Sequence, residues 1–134
     1  MTEIPDFRTR QEIESVLTEW SWLIDHGKAQ EASVFYTQDA EQSIAGVTRS
    51  GIEAIKQGLK HRADMTGRTS RHVISNVRLS EATIDATWIL TLYRSDDVNK
   101  PAKPTMVNDV HDTFRKEAGG WKIRSRKIVP VFSD

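Results

Sequence analysis

The hydrophobic residues of this chain change their period near residue 70, and that change limits the available folds more than any other feature. Before it, Ile13, Val16, Leu17, Trp20, Leu23 and Ile24 recur at helical intervals. After it, Ile84, Ala86, Trp88, Leu90 and Leu92 alternate with Thr83, Asp85, Thr87, Ile89, Thr91 and Tyr93. Helices followed by a run of long strands predict an α+β domain, with the helices stacked on one face of a curved, mainly antiparallel sheet. The concave face of such a sheet must be filled by side chains or must hold a ligand.

Local signals set the element boundaries. Thr9 and Glu12 have the spacing of a capping box ahead of helix one, and Gly27 suits the left-handed residue that ends it. Ala29 to Tyr36 predicts a short second helix, with Ala32, Phe35 and Tyr36 turned inward. After Asp39 and Ala40 a short extended piece runs through Ala45. Ser50 and Glu53 then form a second capping box for helix three, which carries Ile52, Ile55 and Leu59 and runs to about Arg62. Ala63 to Thr69 reads as a loop. Arg71 to Leu79 is the first long strand and Thr83 to Tyr93 the second, while Ser95 to Thr105, with Asp96, Asp97, Pro101 and Pro104, forms an exposed loop. Met106 to Arg115 and Trp121 to Val131 pair across a turn at Gly119 and Gly120.

A chain of 134 residues suffices for one core, so residues 1–134 are expected to form a single domain. Lys plus Arg equals Asp plus Glu at 19 each, which leaves no net field to attract nucleic acid or anionic lipid. The absence of cysteine excludes disulfides, thiolate nucleophiles and cysteine-ligated metals. Met1 to Phe7 has no apolar run, and no stretch approaches the ~18 apolar residues of a membrane span. A cytoplasmic protein with no membrane partner is expected. Val73, Val77, Ile89 and Val107 fall on the solvent side of the alternation, more apolar surface than a small monomer should expose, which predicts a homo-oligomer, dimer or trimer.

Four stretches in register resemble the SnoaL-like proteins of the NTF2-like superfamily. Trp20 to Lys28 is similar to that family's aromatic residue, four residues, Asp, any residue, Gly at the end of helix one. Asp39 and Ala40 resemble its Asp-Ala before the first strand. Arg71, His72 and Asn76 resemble its Arg-His strand, and Gly120, Trp121, Ile123 and Arg126 its last strand. The resemblance implies a cone of three N-terminal helices on a curved sheet that encloses a pocket. At two positions the chain is similar to scytalone dehydratase, a bile acid dehydratase and a dehydrochlorinase, in which an Asp on helix one supports a His on the sheet as base; Asp25 and His72 stand there. Several of those dehydratases have a tyrosine where this chain has Trp20, so the hydroxyl of Tyr93 or Tyr36 is the nearest replacement. Asp112 falls near an oxyanion-binding Asp of the steroid isomerases, whose catalytic base is replaced here by Ile44.

The chemistry fits these residue types. A carboxylate that accepts Nδ1–H fixes the imidazole tautomer, leaves Nε2 as the acceptor and stabilises the imidazolium. Asp25 lies to one side of the apolar stripe of helix one, beside Ser21, so it flanks the core face. Arg126 could stabilise an oxyanion or leaving group, although strict alternation sets it opposite Ile123 and a pocket role requires a bulge. Asp109 and His111 share a face while Asp112 points the other way, so no metal site is expected, and His26 and His61 are assigned to the surface or to packing. The expected function is a cofactor-independent lyase of the dehydratase type acting on a hydrophobic small molecule. Asp25, His72 and Arg126 are its catalytic candidates, and Trp20, Phe35, Ile44, Trp88, Tyr93, Met106 and Asp112 its substrate contacts. An isomerase or cyclase, a non-catalytic subunit of a ring-hydroxylating dioxygenase and a ligand-binding protein are the alternatives.

Overall fold

The structure is a computed structural model that describes residues 6–80, 84–95, 97 and 99–133. Met1 to Pro5, Thr83 and Asp96, named above, lie outside the described residues. Helix α1 spans Phe7–Asp25 and turns Ile13, Leu17, Trp20, Ser21 and Ile24 into the core. Its N-cap is Asp6, which accepts the Thr9 N–H at 2.8 Å, so Thr9 sits within the first turn and does not cap it. Asp is at least as good a cap as Thr, and the earlier cap lengthens the helix. Gly27 follows the helix end with φ 80°, and the Lys28 N–H closes on the Leu23 carbonyl at 2.8 Å.

Ala29–Phe35 is a 3-10 helix that buries Ala29 and Ala32. Strand β1 (Tyr36–Ile44) begins earlier than expected, with Asp39 and Ala40 inside it. Ala45 and Gly46 take φ 49° and 84°, the left-handed pair that turns a two-residue hairpin, and β2 (Val47–Ser50) pairs back on β1. Helix α2 (Ile52–Asp64) then starts after Gly51, at φ 86° and without a side-chain cap, because Ser50 is held in β2. The expected three N-terminal helices are therefore two α-helices and a 3-10 helix among the described residues, and α2 follows a strand hairpin.

Strands β3 (Thr69–Ser80), β4 (Asp85–Ser95), β5 (Met106–Glu117) and β6 (Gly120–Ser133) complete a six-stranded sheet in the order β2-β1-β6-β5-β4-β3. The last hairpin turns at Ala118 and Gly119, one residue earlier than expected, and Glu117 faces Gly120. Every described pair is antiparallel except β1 with β6, so the sheet is mixed. Helix α1 packs on β3 and β6, and α2 on β1 and β2.

Two bulges decide which side chains face the helices. In β3 the register slips between Ser75 and Arg78, with Asn76 at φ 55°, so the inward set passes from Ser70, His72 and Ile74 to Val77 and Leu79. Val77 consequently packs against the core and is not part of the outer apolar face, on which Val73, Val129, Val131 and Phe132 are exposed. In β6, Thr113 faces Ser125 and Phe114 faces Ile123, which leaves Arg124 as the extra residue. Ile123 and Arg126 are both buried as a result.

Arg126 is thus a fully buried cation. Its Nε donates to Asp112 Oδ1 at 2.8 Å and its Nη2 to Oδ2 at 2.9 Å, while Trp88 Nε1 donates to Oδ2 at 2.8 Å. The guanidinium lies 4.2 Å from the Trp20 ring centroid and 5.3 Å from that of Trp88. Burial would lower its pKa, but the charge and hydrogen bonds of Asp112 together with the Tyr36 hydroxyl more than offset this and the net direction is upward, so Arg126 stays charged. Breaking one side of such a pair strands a charge in the core. Asp112→Ala should lower unfolding stability by about 3–5 kcal/mol, and the double variant Asp112→Leu with Arg126→Met should lose less, as read by urea unfolding.

Candidate active site

Asp25 ends α1, where the helix dipole disfavours a carboxylate. Hydrogen-bond donors from β3 offset this. The His72 backbone N–H donates to Oδ2 at 2.7 Å, His72 Nδ1 lies 2.6 Å from Oδ1, and Ser70 Oγ donates to Oδ1 at 2.8 Å. Arg62 Nη2 in turn donates to Ser70 Oγ at 2.7 Å. Ser70 and His72 are two residues apart on β3 and so share the face turned toward the end of α1. The Asp25 and His72 side chains are 5% and 12% exposed. Burial pushes the Asp25 carboxyl up, but the ring and backbone bonds from His72, its charge and the Ser70 hydroxyl together hold it below the ordinary carboxylate value.

The 2.6 Å contact places the shared proton on the Nδ1 side, since an ionised carboxylate can only accept. Among the described residues His72 Nε2 has no hydrogen-bond partner, and the ring forms part of a cavity wall. The Trp20 indole meets the imidazole edge-on, with centroids 5.3 Å apart and planes at 77°. The cavity measures about 250 Å³. Its inner wall is made by Trp20, Tyr36, Gln42, Leu90, Asn108 and Ile128, all buried, and its more exposed part by Met106, Leu92 and several arginines.

The sequence candidates separate into two groups. Trp20, Ile44, Met106 and His72 line the cavity, with Asp25 behind His72. Arg126, Asp112 and Trp88 do not: Trp20 stacks over Arg126 and meets Trp88 edge-on at 6.3 Å, and Asp112 lines a separate cleft with Ala86, His111 and Ser125. Phe35 lies in an outer cleft beside the β5–β6 turn, together with Val16 and Trp121. Tyr93 points to the other face of β4, opposite Arg71, in a cleft lined also by Asp97, Pro101 and Thr105. Tyr36 is the phenol at the cavity: it accepts from Trp20 Nε1 at 3.0 Å and donates to Gln42 Oε1 at 2.9 Å. Burial pushes its pKa up, and it stays protonated.

Sequence reasoning does not single out Ser70, Arg62, Gln42 or Asn108. Ser70 and Arg62 stand two residues before His72 and near the end of α2, and only the spacing on the strand could have pointed to the former. Gln42 faces the cavity because β1 continues beside β6, with Gln42 opposite Arg126. Asn108 is buried with its Oδ1 lacking a protein partner, a signal visible only in three dimensions. Asp109 and His111 are exposed, and His26 stacks on Trp22 at 4.0 Å at the surface.

Comparison with known proteins places this architecture. No curated protein matches the sequence significantly. Among solved structures, Aln2 from a Streptomyces species superposes with a TM-score of 0.85 at 21% identity, covering 96% of this chain and 94% of that one. An NTF2-like protein with a cystatin-like fold from Novosphingobium aromaticivorans gives 0.82 at 20% identity, with 95% and 84% covered. A second protein of Novosphingobium aromaticivorans, provisionally named a scytalone dehydratase, gives 0.81 at 20% identity, with 92% and 84% covered. At such identities the likeness is one of fold. The sequence itself matches the SnoaL-like domain over residues 5–127, nearly its whole length, and the chain belongs to the SnoaL-like family.

Proposed function

We propose that the protein is a cofactor-independent lyase of the dehydratase type, acting on a compact and largely apolar small molecule. The observation that carries this reading is the 2.6 Å contact between Asp25 and His72 on the wall of the cavity. Asp25 holds the proton on Nδ1, so the Nε2 lone pair is the basic site offered to a ligand. Nε2 removes a proton from carbon next to a carbonyl or similar activating group, and Asp25 stabilises the imidazolium. The imidazolium returns that proton to the leaving hydroxyl, so water departs and a carbon–carbon double bond remains. His72 ends as it began.

Arg126 is a positioning residue in this reading, since Trp20 lies between it and the cavity. Asn108 Oδ1, buried and without a partner, is assigned as acceptor for a substrate hydroxyl, and the Tyr36 hydroxyl could donate to a substrate oxygen only by exchange of its bond to Gln42. An isomerase or cyclase would share the proton abstraction and differ in the fate of the resulting carbanion.

The test is a screen of hydroxylated carbonyl compounds for loss of water, followed by absorbance of the conjugated product. On any substrate so found, His72→Ala should lower kcat/KM by roughly 10²–10⁴-fold, the usual contribution of a general acid–base, while the circular dichroism spectrum is unchanged. Undiminished turnover in this variant would reject the reading. Asp25→Asn should lower kcat more than it raises KM, because an amide still touches the imidazole but cannot stabilise its cation. The same substitution has a signature in stability. A carboxyl held below its ordinary value stabilises the fold at pH above the unfolded pKa, and that part is lost as pH falls through the lower folded value. The part of the wild type's stability advantage over Asp25→Asn that rests on the ionised carboxylate should therefore shrink below about pH 4.

A further inference from the structure

The chain is neutral overall, yet its cavity is not: Arg49, Arg62, Arg68 and Arg94 line it, and none of the described lining residues is a carboxylate. These four come from β2, α2, the loop before β3 and β4, so the convergence is a product of the fold and not of one basic run. Arg62, Arg49 and Arg68 are half-buried and Arg94 is exposed, which sets the charge at the open part of the cavity, away from Trp20, Tyr36 and Asn108. Neither Arg49 nor Arg94 forms a salt bridge among the described residues. Among the described residues, the Asp25 carboxylate behind the cavity wall is taken up by Ser70 and His72, and Asp97 lines the neighbouring cleft with Arg68 and Arg94. Burial and the charges of Arg68 and Arg94 lower the Arg62 pKa against the opposing pull of Asp25, a sign of crowded like charge.

A second observation concerns Gly58, in the middle of α2, where glycine weakens a helix relative to alanine. A Cβ at this position would come within 2.9 Å of Arg49 Nε and 3.2 Å of its Cζ. The bare backbone at Gly58 is what lets the Arg49 side chain lie over the helix and reach the cavity. Arg49 stands beside Gln42 in the β1–β2 pairing, so it faces the same interior.

We propose that the substrate carries a carboxylate, held by Arg49, Arg62 and Arg94 at the cavity mouth while its apolar body lies against Trp20, Leu90 and Ile128. The inference rests on reading this cavity as the substrate site, and it specifies the class of molecule: a small apolar acid. Guanidinium suits a carboxylate because its planar donors match both oxygens, and charge-assisted bonds of this kind exceed neutral ones. A cavity of about 250 Å³ limits the apolar body to one or two rings or an equivalent chain.

The experiment compares binding of 2-naphthoate with that of its neutral analogue 2-naphthamide by calorimetry, in the full-length protein. Naphthoate should bind at least about tenfold more tightly at low ionic strength, with the ratio falling as salt is raised. Arg49→Gln and Arg94→Gln should each weaken naphthoate several-fold and leave naphthamide unchanged. Gly58→Ala should keep or raise the unfolding midpoint, since the helix gains, and still weaken naphthoate because it displaces Arg49. Equal affinity for the two probes, no binding of naphthoate at millimolar concentration, or arginine variants that weaken both probes alike would each overturn the proposal. His72→Ala separates it from the catalytic reading. Retention of the naphthoate preference in that variant is expected, whereas loss of turnover without any such preference in the wild type would leave the lyase standing and remove the carboxylate.

Discussion

The buried pair of Arg126 and Asp112 is the interaction on which the arrangement of this protein depends. A charged guanidinium in the core of a small domain is tolerable only beside an opposite charge, and Asp112 accepts from its Nε and Nη2, while Nη1 has no hydrogen-bond partner among the described residues. The guanidinium also lies against two indoles, Trp20 at 4.2 Å and Trp88 at 5.3 Å, whose planes are 73° apart. Trp20 is then fixed at its polar end by Tyr36 and at its edge by His72. Position is passed from a core ion pair, through one aromatic ring, to the imidazole on the cavity wall. The bulge at Arg124 is what makes this possible, since without it Arg126 would point to solvent.

The second constraint is local. Asp25 occupies a place where an α-helix repels a carboxylate, and it is retained there, ionised, by a strand that brings three donors to it. Two of them belong to His72 itself, so the backbone and the ring of one residue are tied to one carboxylate. That double attachment restricts the ring, which lies on the cavity wall. The outer part of the cavity has the opposite character, with arginines gathered from four elements and one of them admitted by a glycine.

Much of this is legible in the sequence. The change of period separates helices from strands, and the resemblance of the stretches holding Asp25 with Gly27 and Arg71 with His72 to the SnoaL-like family picks out the two residues that meet. What is not legible traces to features without a periodic signature. The hairpin at Ala45 and Gly46 escapes notice because β1 is largely polar and β2 short, and its left-handed alanine gives no turn signal. Capping boxes at Thr9 and Ser50 point to the right helices but to the wrong residues, since Asp6 and Gly51 hold those places. Strand alternation directs Trp88 toward the cavity, and it does face inward, but Trp20 covers it. Residue type alone suggests Tyr93 and Phe35, where strand parity and the 3-10 helix turn them elsewhere. Gln42, Arg49 and Asn108 come to the cavity through pairing between distant strands, and no local pattern announces that.

The central claim is that Asp25 sets the tautomer of His72 so that Nε2 is the base presented to the cavity. Nitrogen-15 NMR of the imidazole side chain, at a pH where the ring is neutral, reads this directly, because protonated and unprotonated ring nitrogens have well separated shifts and distinct couplings to the ring protons. The account predicts that neutral His72 carries its proton on Nδ1, and that Asp25→Asn weakens this preference. A neutral His72 with its proton on Nε2 in the wild-type protein would contradict it.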